Sequence, residues 1–209
     1  MAKTDLTLEK EFYKTVLHNC NVIFDVGCRD DNVFYEINPK AQIHLFDPNE
    51  VNIMEEVDGL PNVHFNNYAL GAHCGVVSFH HRYGSIIMRT EEPKFEGMHQ
   101  SIPVDQETIQ NYCKNRRIDK IDFLKIDTEG YDFEVIKGCG RDLLNNIKYI
   151  QIESWDDGRF GGETDEDIFR FFEHWNIYKL NTRPINYIIT KDQLSFSEND
   201  IIQRKFEYL

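Results

Sequence analysis

The chemistry open to this chain is concentrated in carboxylates that close two apolar runs. The run Ile121-Asp122-Phe123-Leu124-Lys125-Ile126 stops at Asp127-Thr128-Glu129-Gly130-Tyr131, and the run Val22-Ile23-Phe24 stops at Asp25-Val26-Gly27. An apolar run ended by acids and a glycine is the pattern of a buried parallel strand where it surfaces at the edge of an α/β sheet. Ligands of such sheets bind just beyond the carboxyl ends of the strands. Asp127 is therefore the first candidate for a catalytic group, because a positioned carboxylate can take a proton from an attacking hydroxyl. A second chemistry is open to the same residue. Asp127, Glu153 and Asp156 or Asp157 together offer oxygen ligands of the kind that suit magnesium or calcium, and such an ion acidifies a bound hydroxyl. Lys125 falls one alternation from Asp127 on the same strand face. There it either offsets the carboxylates' charge or reaches outward as a structural side chain. Glu129 either orients a substrate or caps a helix beginning near Tyr131.

The loop after the first run reads Asp25-Val26-Gly27-Cys28-Arg29-Asp30-Asp31-Asn32. A dinucleotide fold wants G-x-G-x-x-G so that backbone can approach a pyrophosphate. Here a single glycine is followed by two acids, which argues against that ligand. An acidic, single-glycine loop suits a cationic, phosphate-free ligand such as S-adenosylmethionine, with Gly27 letting the chain pass close to it; an ordinary strand-to-helix turn has the same look. Asp47-Pro48-Asn49 closes the next run, at about the separation from Asp25 at which an acid accepts hydrogen bonds from ribose hydroxyls, although an acid there also serves as a helix cap. Asn66-Asn67-Tyr68-Ala69 follows the third run and can meet an adenine edge or make a plain turn. The candidate cofactor set is thus Asp25, Gly27, Cys28, Arg29, Asp47, Pro48, Asn49, Asn67, Tyr68, Ala69 and Asp127.

The elements that must position these residues are legible in the hydrophobic pattern. Residues 5–19 carry apolar positions at helical spacing and form a lead-in helix. Strands are expected over 21–27, 42–46, 62–66, 121–126 and 147–152, with an extra one over 75–80. Helices are expected from Asp30 or Asp31 to near Pro39, and over 49–57, 105–117, 131–145 and 164–175. Residues 81–100 read as a loop and 156–162 as a flexible, glycine-rich stretch. The tail pairs 176–181 with 186–190 around Arg183-Pro184, an antiparallel hairpin. Strand and helix alternate from 21 to 153, which predicts a doubly wound, mostly parallel α/β sheet closed by the hairpin. A length of 209 residues suits one domain. Within it we expect a lead-in helix (1–20), a cofactor-binding core (21–153) and a C-terminal helix and hairpin (154–209).

Asp25-Val26-Gly27, Phe46-Asp47-Pro48-Asn49, Tyr68-Ala69-Leu70-Gly71, Lys125-Ile126-Asp127-Thr128-Glu129-Gly130 and Glu134-Val135-Ile136-Lys137-Gly138 occur in that order. Together they resemble the FkbM-type methyltransferase family over about residues 21–153, most specifically between Asp122 and Gly138. The resemblance implies a Rossmann-like class I fold and O-methylation of a hydroxyl, often on a sugar or glycosylated product, with S-adenosylmethionine as donor. The chain departs from the family at Cys28-Arg29-Asp30-Asp31, where a small residue and a later glycine are usual, and at Asp47, where glutamate is usual. A carbohydrate acceptor would meet the irregular segments. His80, His81, Arg82 and Tyr83 lie in one and Trp155 in the other, since aromatic faces stack on sugar rings; a half-buried surface aromatic looks the same in sequence. Other readings are a methyltransferase for a lipid or polyketide hydroxyl and a non-catalytic cofactor-binding domain.

Composition narrows the partners. A net charge of −13, from 36 acidic and 23 basic residues, repels a phosphate backbone. Its richest basic cluster, Lys114, Arg116, Arg117 and Lys120, sits where basic residues oppose a helix dipole. Nucleic acid is not expected. The five cysteines show no C-x-x-C spacing, so neither a disulfide framework nor a zinc site is expected. No apolar run approaches membrane-spanning length and the first residues lack an apolar signal core. We therefore expect a cytoplasmic protein, alone or associated with or fused to glycan-synthesis enzymes.

Overall fold

The computed structural model describes residues 5–29, 33–49, 59–82, 85–88, 101–154, 164–180, 182, 185–194 and 206–208. In chain order, α1 (Asp5–Val16) and a 3-10 turn (Leu17–Asn19) lead to β1 (Val22–Val26), α2 (Val33–Ile37), β2 (Gln42–Phe46), β3 (Val63–Asn66) and β4 (Ala69–Leu70). Next come β5 (Gly75–Arg82), β6 (Ser85–Met88), β7 (Ser101–Glu107), α3 (Ile109–Arg116), β8 (Ile121–Ile126), α4 (Asp132–Lys137) and α5 (Gly140–Leu144). The chain ends with β9 (Ile147–Ser154), α6 (Asp165–Phe171), β10 (Asn176–Leu180), β11 (Ile185–Thr190) and β12 (Phe206–Tyr208).

The main sheet has eight strands in the order β12-β10-β11-β9-β8-β1-β2-β3. Strands β3, β2, β1, β8 and β9 run parallel, and β11, β10 and β12 antiparallel. The expected mixed α/β sheet with its terminal hairpin is therefore present, with β12 added to the edge of β10. The central strands are apolar on both sides because both faces are covered. On one face α1 lays down Leu8, Phe12, Tyr13 and Val16, all buried at helical spacing. Tyr13 meets Phe34 and Phe123 edge-on, at ring separations of 5.0 and 5.7 Å. On the other face Tyr112 of α3 packs edge-on against Phe24 and Phe46. Burying each such ring contributes roughly 2–3 kcal/mol, so helices and sheet hold the strand ends in fixed register.

A second sheet, β4-β7-β5-β6, was not expected. It corrects two sequence readings. Residues 101–107 form a strand rather than the start of a helix, because β7 pairs along its length with β5 and turns Val104 toward Ala69 and Tyr131. The helix starts later, at Ile109, where the Thr108 hydroxyl accepts from the Asn111 N–H at 3.1 Å and acts as N-cap. The expected loop over 81–100 contains the hairpin of β5 and β6, joined from Phe79–Met88 to Arg82–Ser85. The helix expected over 131–145 is two helices. Gly140 takes φ +66°, which a helix interior does not, and a side chain there would meet the Gln110 amide at 2.6 Å. From residue 50 on, the helix expected over 49–57 lies outside the described residues, as do the caps at Asp30 and Asp31.

Candidate active site

The two acid-closed runs are neighbours. Strand β1 lies beside β8 with Asp25 opposite Lys125, and β8 lies beside β9 with Lys125 opposite Gln151. The Lys125 ammonium sits 3.1 Å from Asp127 Oδ2 and 3.6 Å from Asp25 Oδ1. Asp25 is buried and the Lys125 side chain nearly so, at 13% exposure, whereas the Asp127 side chain is 33% exposed and forms the mouth of the group. Burial pulls the Lys125 pKa down, but Asp127 and Asp25 outweigh it and hold the ammonium well above its ordinary value. Lys125 is thus a charged partner of Asp127 rather than a solvent-seeking side chain.

Two more carboxyls crowd this edge. Burial, then Asp127, pushes Asp132 up to about 7 against the bonds it accepts from Thr128 and Gly130. Glu153, on the next strand, is pushed well up by burial and by Asp127, Asp132 and Glu129, with Lys125 opposing. The edge therefore crowds two acids that hold their protons more tightly than usual, Asp132 and Glu153, around the Asp127–Lys125 contact.

Asp132 escaped the sequence reading. It stands in the first turn of α4, where an acid reads as a generic response to the helix dipole. In the fold its Oδ2 accepts from Thr128 Oγ1 at 3.0 Å and from the Gly130 N–H at 3.2 Å. It ties down the turn that carries Asp127. Tyr131 is the N-cap of α4 and its side chain makes no capping bond, so the carboxylate serving this turn is Asp132. Within the turn Glu129 adopts φ +54°. Non-glycine residues seldom do so, and such conformations persist where the surroundings impose them, often beside functional sites.

The first loop abuts this turn. Gly27 has φ +80°, and a Cβ there would lie 1.9 Å from the Asp127 carbonyl oxygen. The close approach that demands glycine here is thus to the backbone of β8. The Gly27 and Cys28 N–H groups donate to the Phe46 carbonyl at 2.8 and 3.3 Å. Arg29, also left-handed at φ +51°, donates its N–H to Asp47 Oδ2 at 3.0 Å. Asp47 Oδ1 accepts from the Asn49 N–H at 2.9 Å. Burial raises the Asp47 carboxyl while the bonds from Asn49 and Arg29 oppose the rise. Each of its oxygens keeps a second acceptor site. Pro48 and Asn49 are half-buried beside it. Cys28 is buried and its thiol is raised well above the usual value by burial, then by Asp25 and Asp47, which makes it a small packed side chain and no thiolate.

After β3, the Asn67 amide nitrogen donates to the carbonyls of Asp47 and Asn49 at 3.1 and 2.9 Å, joining the second loop to the third. Tyr68 is half-buried against Phe46. Ala69 is buried in β4, paired with Gln106 of β7. The Tyr131 hydroxyl donates to Gln106 Oε1 at 3.2 Å, so the small sheet is moored to the turn that follows Asp127. His80, His81 and Arg82 belong to the outer half of β5. Tyr83, Trp155, Asp156 and Asp157 lie outside the described residues. Among the described residues no three His, Cys, Asp or Glu side chains group as metal ligands, and all five cysteines are free. No helix among these residues is long and apolar enough to cross a membrane.

The Methyltransferase FkbM domain matches residues 18–177. The chain belongs to the FkbM methyltransferase family. Its 2-O-methyltransferase relative NoeI, from Sinorhizobium fredii (strain NBRC 101917 / NGR234), is 24% identical over 165 residues, covering 68% of this chain and 66% of NoeI. Among solved structures, methyltransferase FkbM from Methylobacillus flagellatus KT superposes with a TM-score of 0.54 at 14% identity, covering 88% of this chain and 51% of that one. This FkbM chain thus spans just under two thirds of NoeI and about half of the Methylobacillus protein.

Proposed function

We propose that this FkbM methyltransferase moves a methyl group from S-adenosylmethionine to a hydroxyl of a sugar or glycan. The observation that carries the reading is the Asp25–Lys125–Asp127 group at the carboxyl edge of the sheet, with Asp127 at the mouth. It offers an acceptor for a hydroxyl proton in a surround of acids that favours a cationic ligand over a phosphate. The name of the relative NoeI supports the O-methyl outcome. The sugar follows from the family resemblance.

The residues present fit the donor. Asp47 would accept from ribose hydroxyls, the stretch from Asp25 through Gly27, Cys28 and Arg29 would hold the methionine part, and Pro48, Asn49, Asn67 and Tyr68 would hold the adenine side. When bound, the donor supplies an electrophilic methyl carbon on a sulfonium. The chain's own task is alignment, which can provide roughly 7–11 kcal/mol of rate enhancement, and removal of a proton. With the donor bound, Asp127 would take the proton of the acceptor hydroxyl as that oxygen attacks. Lys125 orients Asp127 through their 3.1 Å contact. Glu129 and the small sheet border the acceptor, with His81, Arg82, Tyr83 and Trp155 as its candidate contacts. A divalent cation held by Asp127, Glu153 and Asp156 is the alternative means of activating the hydroxyl.

The test is direct. Calorimetry should show binding of S-adenosylmethionine and none of NAD, and labelled donor should transfer its methyl to one of a panel of sugars. A chain that binds no donor, or labels none of the panel, defeats the proposal. Excess chelator distinguishes the two activations: unchanged turnover assigns it to Asp127 alone, and loss restored by magnesium or calcium assigns it to the ion.

A further inference from the structure

Beneath the row of acids lies a second polar layer, and four of its members, Glu9, Tyr13, Thr182 and Asn186, come from outside the family-matched residues 18–177. Gln151 is fully buried on β9, beside Lys125 in register. Its amide nitrogen donates to Asn186 Oδ1 of β11 at 2.9 Å and points to Glu9 Oε1 of α1 at 3.5 Å. Asn186 in turn donates to the same Glu9 oxygen at 2.8 Å and to Thr182 Oγ1 at 3.0 Å. Tyr13, one turn further along α1, lies beside Gln151, Lys125 and Glu9. Against the penalty of burial, the Lys125 ammonium is favoured first by Asp127 and Asp25, then by Tyr13 and Glu9.

A purely structural purpose would be served better by other residues. Helix α1 already buries Leu8, Phe12, Tyr13 and Val16 against the sheet. Replacing buried charged contacts by apolar ones is often neutral or stabilising. A carboxylate that reaches from α1 into this layer, gathers two amides from adjacent strands and adds its charge to a lysine already shared by two aspartates has a more specific use.

We propose that Glu9 is a positioning residue for Asp127. It locks the Gln151 and Asn186 amides on one side of Lys125 and adds its negative charge to the field of Asp127 and Asp25 around the ammonium. Lys125 then stays at hydrogen-bond distance from one oxygen of Asp127 and leaves the other for the acceptor hydroxyl. The inference rests on the methyl-transfer reading above and makes α1 part of the catalytic unit although it precedes the family-matched core.

The experiment uses the full chain with S-adenosylmethionine and the sugar accepted in the panel. Glu9→Gln keeps an oxygen for both amides and removes the charge. The expected result is a fall in kcat of roughly tenfold, with donor affinity, acceptor KM and thermal midpoint nearly unchanged. In a Lys125→Met background the same substitution should bring no further loss, since the charge it acts through is gone. Unchanged kcat in Glu9→Gln overturns the proposal. So does a loss of kcat that tracks a loss of thermal midpoint, or one that is additive with Lys125→Met. If Lys125→Met does not fold, the single variant decides. A wild-type chain without donor binding or transfer defeats the underlying reading instead, and an active wild type with an indifferent Glu9→Gln defeats the positioning role alone.

Discussion

Strand β8 carries an aspartate near each end, and the two are treated differently. At the amino end, Asp122 Oδ2 accepts from the Asn21 and Val22 N–H groups at 2.8 and 3.1 Å, and Oδ1 meets Lys120 at 2.6 Å. Burial pushes this carboxyl up, but Lys120 and the two N–H groups more than compensate and hold it below the usual range. At the carboxyl end, burial and the neighbouring carboxyls push Asp132 and Glu153 the other way. The amino-end acid is saturated by its own fold and has nothing left to offer a ligand. The carboxyl-end acids crowd one another, and that edge also holds the left-handed Arg29 and Glu129. A carboxylate held low by its own donors reads as structure, and a crowded group of carboxyls with raised pKa values reads as a site for a cationic or hydroxyl-bearing ligand.

Four perturbations test that contrast. The largest effect is expected for Asp127→Asn, which should keep donor binding and lose turnover by roughly 10²–10⁴-fold; full activity would break the functional side of the comparison. Next is His44, midway along β2 and away from both ends. It stacks on His64 across the strands and contacts the Tyr112 hydroxyl at 2.8 Å. Burial, then His64 and Arg116, lowers its pKa to about 3, so it stays neutral in the fold while the unfolded chain takes up a proton below roughly pH 6.5. Its contribution is complete above that pH and is lost as pH falls toward 3. Asp132 and Glu153, with raised pKa values, act in the opposite sense, so the readout is a difference. Denaturant titrations between pH 7 and 5 should show wild type losing stability relative to His44→Gln by up to about 1.4 kcal/mol per pH unit, and parallel curves would remove His44 from the account.

Asp122→Asn comes third. It should lower unfolding free energy by roughly 1–3 kcal/mol and leave turnover per folded molecule untouched; an altered kcat would erase the distinction between the two ends. The smallest effect belongs to Glu153→Gln. Because the carboxyl is already held neutral, the isosteric amide should change stability by less than about 1 kcal/mol and preserve most activity. Abolished turnover with intact folding would show that this position works as an anion or as a metal ligand.

The comparison also explains which residues were readable in advance. Asp127, Lys125 and Asp25 stood out because each interrupts or ends an apolar run, a one-dimensional signal. Asp132 did not, because an acid in a first helical turn is ordinary until the bonds from Thr128 and Gly130 are seen. Gln151, Asn186 and Glu9 carried no local signal of their own, being ordinary polar residues within the expected strands and lead-in helix. Gly27 was recognised as a close-approach glycine, but its neighbour, the Asp127 carbonyl, was set by the pairing of β1 with β8.

What the amino-acid order determined by itself was the alternation of strands and helices, the parallel core with its terminal hairpin, and the acids at the strand ends. These follow from hydrophobic period and from residues that end a run, which are local. Only the tertiary structure decided that 101–107 would be a strand, since its partner β5 lies some twenty residues away along the chain. It also decided which acids would be neutral, which would be charged, and that α1 would reach beneath the site. Strand pairing and burial are non-local, and the protonation of a carboxyl depends on every donor and charge that folding brings to it.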